Sequence, residues 1–438
     1  MNVFGTDGIR GKVGDHPMTV SFTSAFASAI SAVLAPTGGK VVIGKDTRRS
    51  GYMFESSLES AFVASGLDVV LLGPLPSPAI AIYTKETDAN FGIIISASHN
   101  SYEYNGIKII NSHGEKIDSQ LENEIEKKLL DEPITKTSEN IGKATRSADS
   151  RDMYESFLTN VFNHKRTLTN FKLVLDCSNG AAYKVAPSIL SKLGAEIIPI
   201  ACSPNGFNIN KNCGSTNPEN IMNTVKALKA DLGIALDGDA DRILLIDENG
   251  KCLNGDQILY MLAMINKDKP NFNSKVVGTI LTNSGLESSL NDQNIRLYRS
   301  DVGDKNVLDM MKKTGSIIGG ETSGHIINSE YSPTGDGLLT ALLILKDMVE
   351  NNRKTEDLLS GLSLLHQFNE NINIEGRSIS ESLIHEINNK ASKMLEKGRV
   401  IIRVSGTEPI IRVTIESNDQ DHFNHIFNYI ESEINSNE

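Results

Sequence analysis

Tryptophan is absent from this 438-residue chain and cysteine occurs only four times. Cys177, Cys202, Cys213 and Cys252 form no CxxC pair and lack the close spacing of a small disulfide scaffold, so they read as reduced thiols. Cys213 has no second cysteine or histidine at zinc-ligand spacing. No segment approaches the roughly 20 apolar residues that a membrane span needs, and the opening MNVFGTDGIRG has no apolar leader core, so the expected location is the cytoplasm. Long runs of Lys and Arg are also missing, and the formal charge of -12 leaves no basic footprint for a phosphodiester backbone. Nucleic acid and membrane are therefore excluded as expected partners.

What remains is a multidomain globular chain of ordinary composition, long enough for roughly three or four domains. One pattern recurs three times: an apolar strand, a polar loop with glycine, an amphipathic helix and a second apolar strand. VVIGKDTRRSG leads through a helix over residues 52–65 to LDVVLLG; KLVLDCSNG leads through residues 181–193 to AEIIPI; KVVGTILTNSG leads through a short helical stretch to IRLYRS. Strands alternating with helices predict α/β units on parallel or mixed sheets. Polar breaks near residues 136–152 and 247–256, and the stretch before the last segment, divide the chain into domains at 1–149, 150–250, 251–365 and 366–438. The last contains RVIIRVSGTEPIIRVTIE, two β-rich runs around a tight loop, followed by an amphipathic helix over residues 423–434, and reads as a small α+β domain.

Four loops carry chemistry. In GIIISASHNSYEYNGIK the apolar run of a doubly buried strand stops at Ser96, Ser98 and His99, the place past a strand's carboxyl end where α/β sites gather. A persisting strand would point Ser96 and Ser98 the same way and His99 the other, which disfavours a serine-hydrolase arrangement. After ADLGIAL, the carboxylates Asp237, Asp239 and Asp241 alternate with small residues and can converge on one hard cation. Calcium is disfavoured because Arg242 stands where an EF-hand loop needs glycine, which leaves Mg²⁺. In GGETSGH, Glu321 and Ser323 can hold sugar hydroxyls beside His325. Arg403, Ser405, Gly406, Thr407 and Arg412 have the composition of a phosphate cradle. Each loop alone also has a plain structural reading, as a polar turn, a solvated acidic turn, a helix start or a pair of solvated arginines. They fall one per expected domain, and their conjunction describes an enzyme that moves a phosphoryl group on a sugar phosphate.

With these loops in this order, the whole chain resembles the α-D-phosphohexomutase superfamily. SASHNSYEYNGIK is similar to its phosphoserine loop, DGDADR to its magnesium loop, GGETSGH to its sugar loop and RVSGTEPIIR to its phosphate loop. FGTDGIRGKVG, VLDCSNGAAY, NGFNINKNCGSTNPE and GDQILY resemble a bacterial branch that interconverts glucosamine 6-phosphate and glucosamine 1-phosphate for UDP-N-acetylglucosamine synthesis. The neighbouring branch, acting on mannose or glucose phosphates, is the alternative. The resemblance implies three related α/β mixed-sheet domains and a smaller C-terminal α+β domain, TATA-box-binding-protein-like, around a central cleft. It implies that Ser98 is the phosphorylated serine and joins Asp237, Asp239 and Asp241 around one Mg²⁺, and that Arg10, Lys108, Arg242 and His325 surround the transferring group, with Lys108 and His325 moving protons. It assigns Glu321 and Ser323 to the sugar, and Arg403, Ser405, Gly406, Thr407 and Arg412 to the distal phosphate. It further implies activation by glucosamine or glucose 1,6-bisphosphate, a sugar-phosphate partner and a homodimer through the first domain. The chain departs from the superfamily pattern at Ser101 in place of proline, Lys305 in place of arginine and Thr322 in place of glutamine. These departures bear on loop stiffness, phosphate or ring contacts and substrate preference.

Overall fold

The computed structural model describes residues 3–5, 7–163, 165–374, 377, 379–395, 398–404 and 409–436. The first sheet contains β1 (Ile9–Lys12), β2 (Gly39–Lys45), β3 (Leu67–Pro74), β4 (Phe91–Ile95), β5 (Tyr104–Asn111) and β6 (Ala144–Arg146), in the order β1-β5-β4-β2-β3-β6. The second contains β7 (Lys172–Asp176), β8 (Glu196–Ile200), β9 (Leu232–Leu236), β10 (Ile243–Ile246) and β11 (Cys252–Leu253), in the order β11-β10-β9-β7-β8. The third contains β12 (Lys275–Thr279), β13 (Arg296–Ser300), β14 (Ile318–Gly320) and β15 (Ile326–Asn328), in the order β13-β12-β14-β15.

One topology underlies all three sheets. The first strand of each unit lies between two parallel neighbours, and the third strand then pairs antiparallel with the fourth: β4 with β5, β9 with β10, β14 with β15. The expected parallel pairs are thus β2 with β3, β7 with β8 and β12 with β13. Every residue of β4 and β9 is buried, as a central strand covered on both faces requires. The two polar breaks are only partly linkers, because each contributes an edge strand, β6 beside β3 and β11 beside β10. The helix after β2 begins at Arg49, about one turn before the apolar periodicity starts.

The fourth sheet is wholly antiparallel: β16 (His366–Asn373), β17 (Gly398–Val404) and β18 (Ile410–Ser417) in the order β16-β18-β17. Helices Glu381–Ser392 and Phe423–Ser436 supply Ile387, Ala391, Ile426, Ile430 and Ile434 to its separate core. The other domains share a core. The helix Ser77–Glu86 of the first, the strands of the second and the helices Gly255–Asn266 and Gly337–Asn351 of the third belong to one continuous apolar cluster. Local signals place these last two helices: Asn254 and Gln257 form a capping box, and the Asp336 carboxylate accepts from the Leu339 N–H. No helix among the described residues is long and apolar enough to cross a membrane.

The third and fourth domains meet at Glu416. Its buried carboxylate accepts from Ser284 N (3.0 Å) and Oγ (2.6 Å), from Arg399 Nε (2.8 Å) and Nη2 (3.0 Å), and from Gln367 Nε2 (3.0 Å). Burial acts to raise its pKa, but Arg399 and Ser284 outweigh burial and hold it below the usual glutamate range. Removing one partner of a buried pair costs about 3–5 kcal/mol, less where the other partner can reach water. Glu416→Ala is therefore expected to loosen the last domain while the first three keep their shared core. Limited proteolysis should cut the 360–366 junction at least about tenfold faster in the variant; an unchanged rate would remove Glu416 as the joint.

Candidate active site

The same topological position supplies three of the four chemical loops. The β4–β5 connection carries Ser96 to Glu103, the β9–β10 connection Asp237 to Arg242, and the β14–β15 connection Glu321 to His325. Because strands three and four are antiparallel neighbours, each loop projects from the carboxyl end of a buried strand. Backbone contacts then join loops from different domains. Arg242 and His325 form a β-bridge, Ile243 N donates to Gly324 O (3.0 Å), and Ser77 N donates to Asp239 O (2.9 Å). Gly324 has φ +91 and an added Cβ would stand 2.0 Å from Ile243 O, so this close approach needs glycine.

Ser98 sits in the left-handed region (φ +50), so the strand conformation does not persist to it and Ser96 and Ser98 do not form a parallel pair. Instead the Ser96 hydroxyl accepts from the Ser98 N–H (2.9 Å) and donates to Asp46 Oδ2 (2.7 Å). The Ser98 hydroxyl donates across the domain boundary to Asp237 Oδ2 at 2.5 Å.

Asp237, Asp239 and Asp241 are all buried, and one carboxylate oxygen of each lies within 4.8 Å of the others. Burial first, then Asp241 and Asp239, push the Asp237 pKa well above the carboxylate range. Lys108 is the local counter-charge. Its ammonium lies 3.0 Å from Asp239 Oδ2, 3.3 Å from Asp241 Oδ2 and 3.0 Å from Asp7 Oδ2. Burial alone would lower the Lys108 pKa, but those carboxylates raise it well above its ordinary value, so the side chain is charged. Asp239 Oδ2 also accepts from Ser77 Oγ (2.6 Å), while Oδ1 of both Asp239 and Asp241 is buried without a hydrogen-bond partner. Free carboxylate oxygens converging beside a serine hydroxyl fit a hard divalent cation.

Arg10 donates to Asp7 Oδ2 (2.9 Å) and to Asn100 Oδ1 (3.2 Å), which places it at the rim of the serine loop. The Arg242 N–H donates to Asp237 Oδ1 (3.2 Å). His325 is buried; its Nε2 accepts from Gly335 N–H (3.2 Å), which assigns the ring proton to Nδ1, 3.7 Å from Asp241 Oδ2. Glu321 Oε1 accepts from Gly303 N–H (2.9 Å), and Ser323 is exposed. The structure therefore brings Ser98, Lys108, the three aspartates, Arg242 and His325 into one contact network.

Two departures from the superfamily pattern turn away from the expected contacts. Thr322 Oγ1 donates to Asp256 Oδ1 (3.0 Å), tying the loop to the start of the helix Gly255–Asn266 in the same domain. Lys305 reaches Ser119 Oγ (3.0 Å) and Glu122 Oε2 (3.3 Å) in the first domain. In the last domain Arg403 and Arg412 stand directly opposite each other on β17 and β18. Like charges at paired positions are unfavourable. Partial burial first, then Arg412, lowers the Arg403 pKa, and Asp301 is the opposing carboxylate. Ser405, Gly406 and Thr407 lie outside the described residues.

Sequence reasoning gave no role to Asp7, Lys116 or Asp304. Lys116 lies 2.5 Å from Asp304 Oδ2 and also pairs with Asp7, so one partly buried lysine joins the first and third domains through the carboxylates that face Lys108 and His325. The FGTDGIRG motif was the available signal for Asp7; nothing in HGEKIDS marks Lys116.

Four family models match in succession. They are the phosphoglucomutase/phosphomannomutase alpha/beta/alpha domains I, II and III, at residues 1–134, 152–250 and 254–364, and the C-terminal domain at 367–432. A phosphoglucosamine mutase of Hamiltonella defensa is 45% identical over 425 residues, covering 96% of this chain and 95% of that protein. The chain belongs to the phosphoglucosamine mutase family. Solved structures share the fold at greater distance. A phosphoglucomutase/phosphomannomutase family protein from Burkholderia thailandensis has TM-score 0.82 at 22% identity, covering 99% of this chain and 97% of its own. Aspergillus fumigatus N-acetylphosphoglucosamine mutase, in complex with GlcNAc-6P and magnesium, has TM-score 0.71 at 16% identity, covering 100% and 96%.

Within this family setting the acidic cluster makes a test that needs no substrate. Millimolar MgCl₂ should raise the thermal unfolding midpoint of the wild-type chain by mass action, and Asp239→Asn should abolish most of that rise. Calorimetry in chelator and in Mg²⁺ measures both; a wild-type midpoint indifferent to the cation would remove the metal reading.

Proposed function

We propose that the chain interconverts glucosamine 6-phosphate and glucosamine 1-phosphate through a phosphorylated Ser98. The observation that carries this reading is the 2.5 Å bond from Ser98 Oγ to Asp237, inside a buried cluster of carboxylates countered by Lys108. A hydroxyl in that setting is placed to carry a phosphoryl group, because phosphoryl transfer relies on positioning and charge neutralisation more than on one strong base.

In the first half, the bond between Ser98 Oγ and phosphorus breaks as a bond forms from phosphorus to a free hydroxyl oxygen of the sugar phosphate. The hydroxyl proton ends on Ser98 Oγ, with Lys108 and His325 as its carriers, and the product is a 1,6-bisphosphate. The bisphosphate turns end for end. In the second half Ser98 Oγ takes the other phosphoryl group and the freed sugar oxygen takes the proton. Asp237, Asp239 and Asp241 would hold a divalent cation, Mg²⁺ in this reading, which would supply positive charge to the phosphoryl group. Arg10 and Arg242 add positive charge at the rim, and Glu321 and Ser323 hold sugar hydroxyls.

Arg403 and Arg412, with Ser405, Gly406 and Thr407, receive whichever phosphate is not reacting. The opposed guanidinium groups support this, since an anion between them would relieve their repulsion. A chain whose Ser98 has lost its phosphate needs glucosamine or glucose 1,6-bisphosphate to restart, which makes the bisphosphate an activator. The reading places the enzyme in the cytoplasm as a homodimer through its first domain, where Val20, Tyr52 and Met53 are exposed.

The decisive measurement is kcat/KM for phosphorylated protein with Mg²⁺ on glucosamine 6-phosphate, glucose 6-phosphate and mannose 6-phosphate. Preference for the amino sugar is expected; preference for a neutral hexose would move the chain to the phosphoglucomutase or phosphomannomutase activity, and steady release of inorganic phosphate would make it a hydrolase. Ser98→Ala should abolish turnover with the thermal midpoint retained, and near-normal activity would end the scheme. Arg403→Ala should raise KM about tenfold or more with a smaller effect on kcat.

A further inference from the structure

The backbone of the Ser98 loop is held by two donors from different domains. Arg48 is fully buried in the first domain. Its Nη2 donates to the carbonyl oxygens of Ser98 (2.9 Å) and Asn100 (2.9 Å), and its Nη1 to that of Ser101 (2.6 Å). Asn210, from the second domain, donates through Nδ2 to the same two carbonyls, Ser98 at 2.8 Å and Asn100 at 2.9 Å. The Ser98 carbonyl therefore lies between a guanidinium and an amide. It also packs against Gly238 of the aspartate loop, where an added Cβ would come within 2.6 Å of the oxygen.

The other peptide group of Ser98 belongs to the same circuit. Asp46 accepts from Arg48 N (2.9 Å) and Nε (2.9 Å) and from Ser96 Oγ (2.7 Å), and Ser96 Oγ in turn receives the Ser98 N–H (2.9 Å). Both peptide planes flanking the Ser98 Cα are thus pinned by side chains. A serine in the left-handed region persists only where its surroundings over-determine it. Here that conformation is what leaves the hydroxyl, rather than the carbonyl, facing the carboxylates.

The geometry points to Arg48 and Asn210 as a two-domain carbonyl clamp that aims Ser98 Oγ, making both positioning residues for phosphoryl transfer. The inference deepens the mutase reading and rests on it for its effect on rate. Neither side chain is required to touch substrate. Because Asn210 reaches the loop from the second domain, the domain that carries Asp237 also fixes the serine's backbone, so donor and acceptor of the 2.5 Å bond are registered by one body.

The test uses the full-length protein and two variants. Arg48→Lys keeps charge beside Asp46 but cannot span three carbonyls; Asn210→Gly removes the amide yet permits the positive φ that Asn210 adopts (+57). Hydrogen exchange by mass spectrometry over residues 96–103 judges the clamp without substrate. Exchange should rise about tenfold in each variant, with the Mg²⁺-dependent rise in midpoint retained. Steady-state kinetics then judge the role: kcat should fall on the order of 10- to 100-fold with KM within about twofold. Unchanged exchange in folded Asn210→Gly overturns the clamp, as does a changed KM with normal kcat. Failure of the wild-type protein to isomerise any hexosamine or hexose phosphate would instead sink the mutase reading, with exchange still deciding whether the clamp exists.

Discussion

The carboxylates of Asp7, Asp239 and Asp241 gather around one ammonium group, that of Lys108, with the buried Asp237 beside them, and much else in the molecule follows from keeping that arrangement dry and neutral enough to persist. Isolated buried charges are costly, so each must find an opposite partner, and no single domain supplies enough of them. The acids come from the first two domains, and Lys116 and Asp304 extend the network into the third. Charge balance therefore adds a constraint on how the domains sit together, beside their apolar contact. The surplus of carboxylate oxygens without partners is the part of the balance left for a cation.

The threefold topology explains how three separate loops can meet. Each sheet ends its parallel run with a strand that turns back antiparallel, and each turn presents its polar residues at the same end of its sheet. The fold thus reuses one geometric solution while the residues diverge: a serine in the first copy, aspartates in the second, a glutamate and a histidine in the third. The last domain follows different rules, an antiparallel sheet with its own core, joined to the rest through Glu416.

Much of this was legible in the chain. Apolar runs of five residues announced β4 and β9 and shorter ones β7 and β12, and the sudden change to Ser, Asp or Gly marked the loops. Less legible was anything decided by packing between domains. Arg48 reads as one more cationic residue in KDTRRSG, yet it is fully buried and holds three carbonyls. Asn210 is one of several asparagines in NGFNINKNCG. Thr322 resembles a substrate-facing substitution, but its hydroxyl is spent on Asp256. Local patterns record where a strand stops and not which neighbour waits there, and a buried polar side chain gets its meaning from that neighbour.

The continuous apolar cluster has a consequence for synthesis. The helix Ser77–Glu86 lies on β2 and β4 of its own sheet and also packs against the helix Ser150–Phe162, which in turn packs against Gly337–Asn351, so the first domain alone does not close that side as it leaves the ribosome. Until residues 150–162 are made, part of that helix remains wet, and a chain stalled earlier would present it to chaperones or to its own copies. Two clusters are free of that delay, the C-terminal domain's core and the first domain's own cluster between Ile9 and Ile125, each complete within its domain.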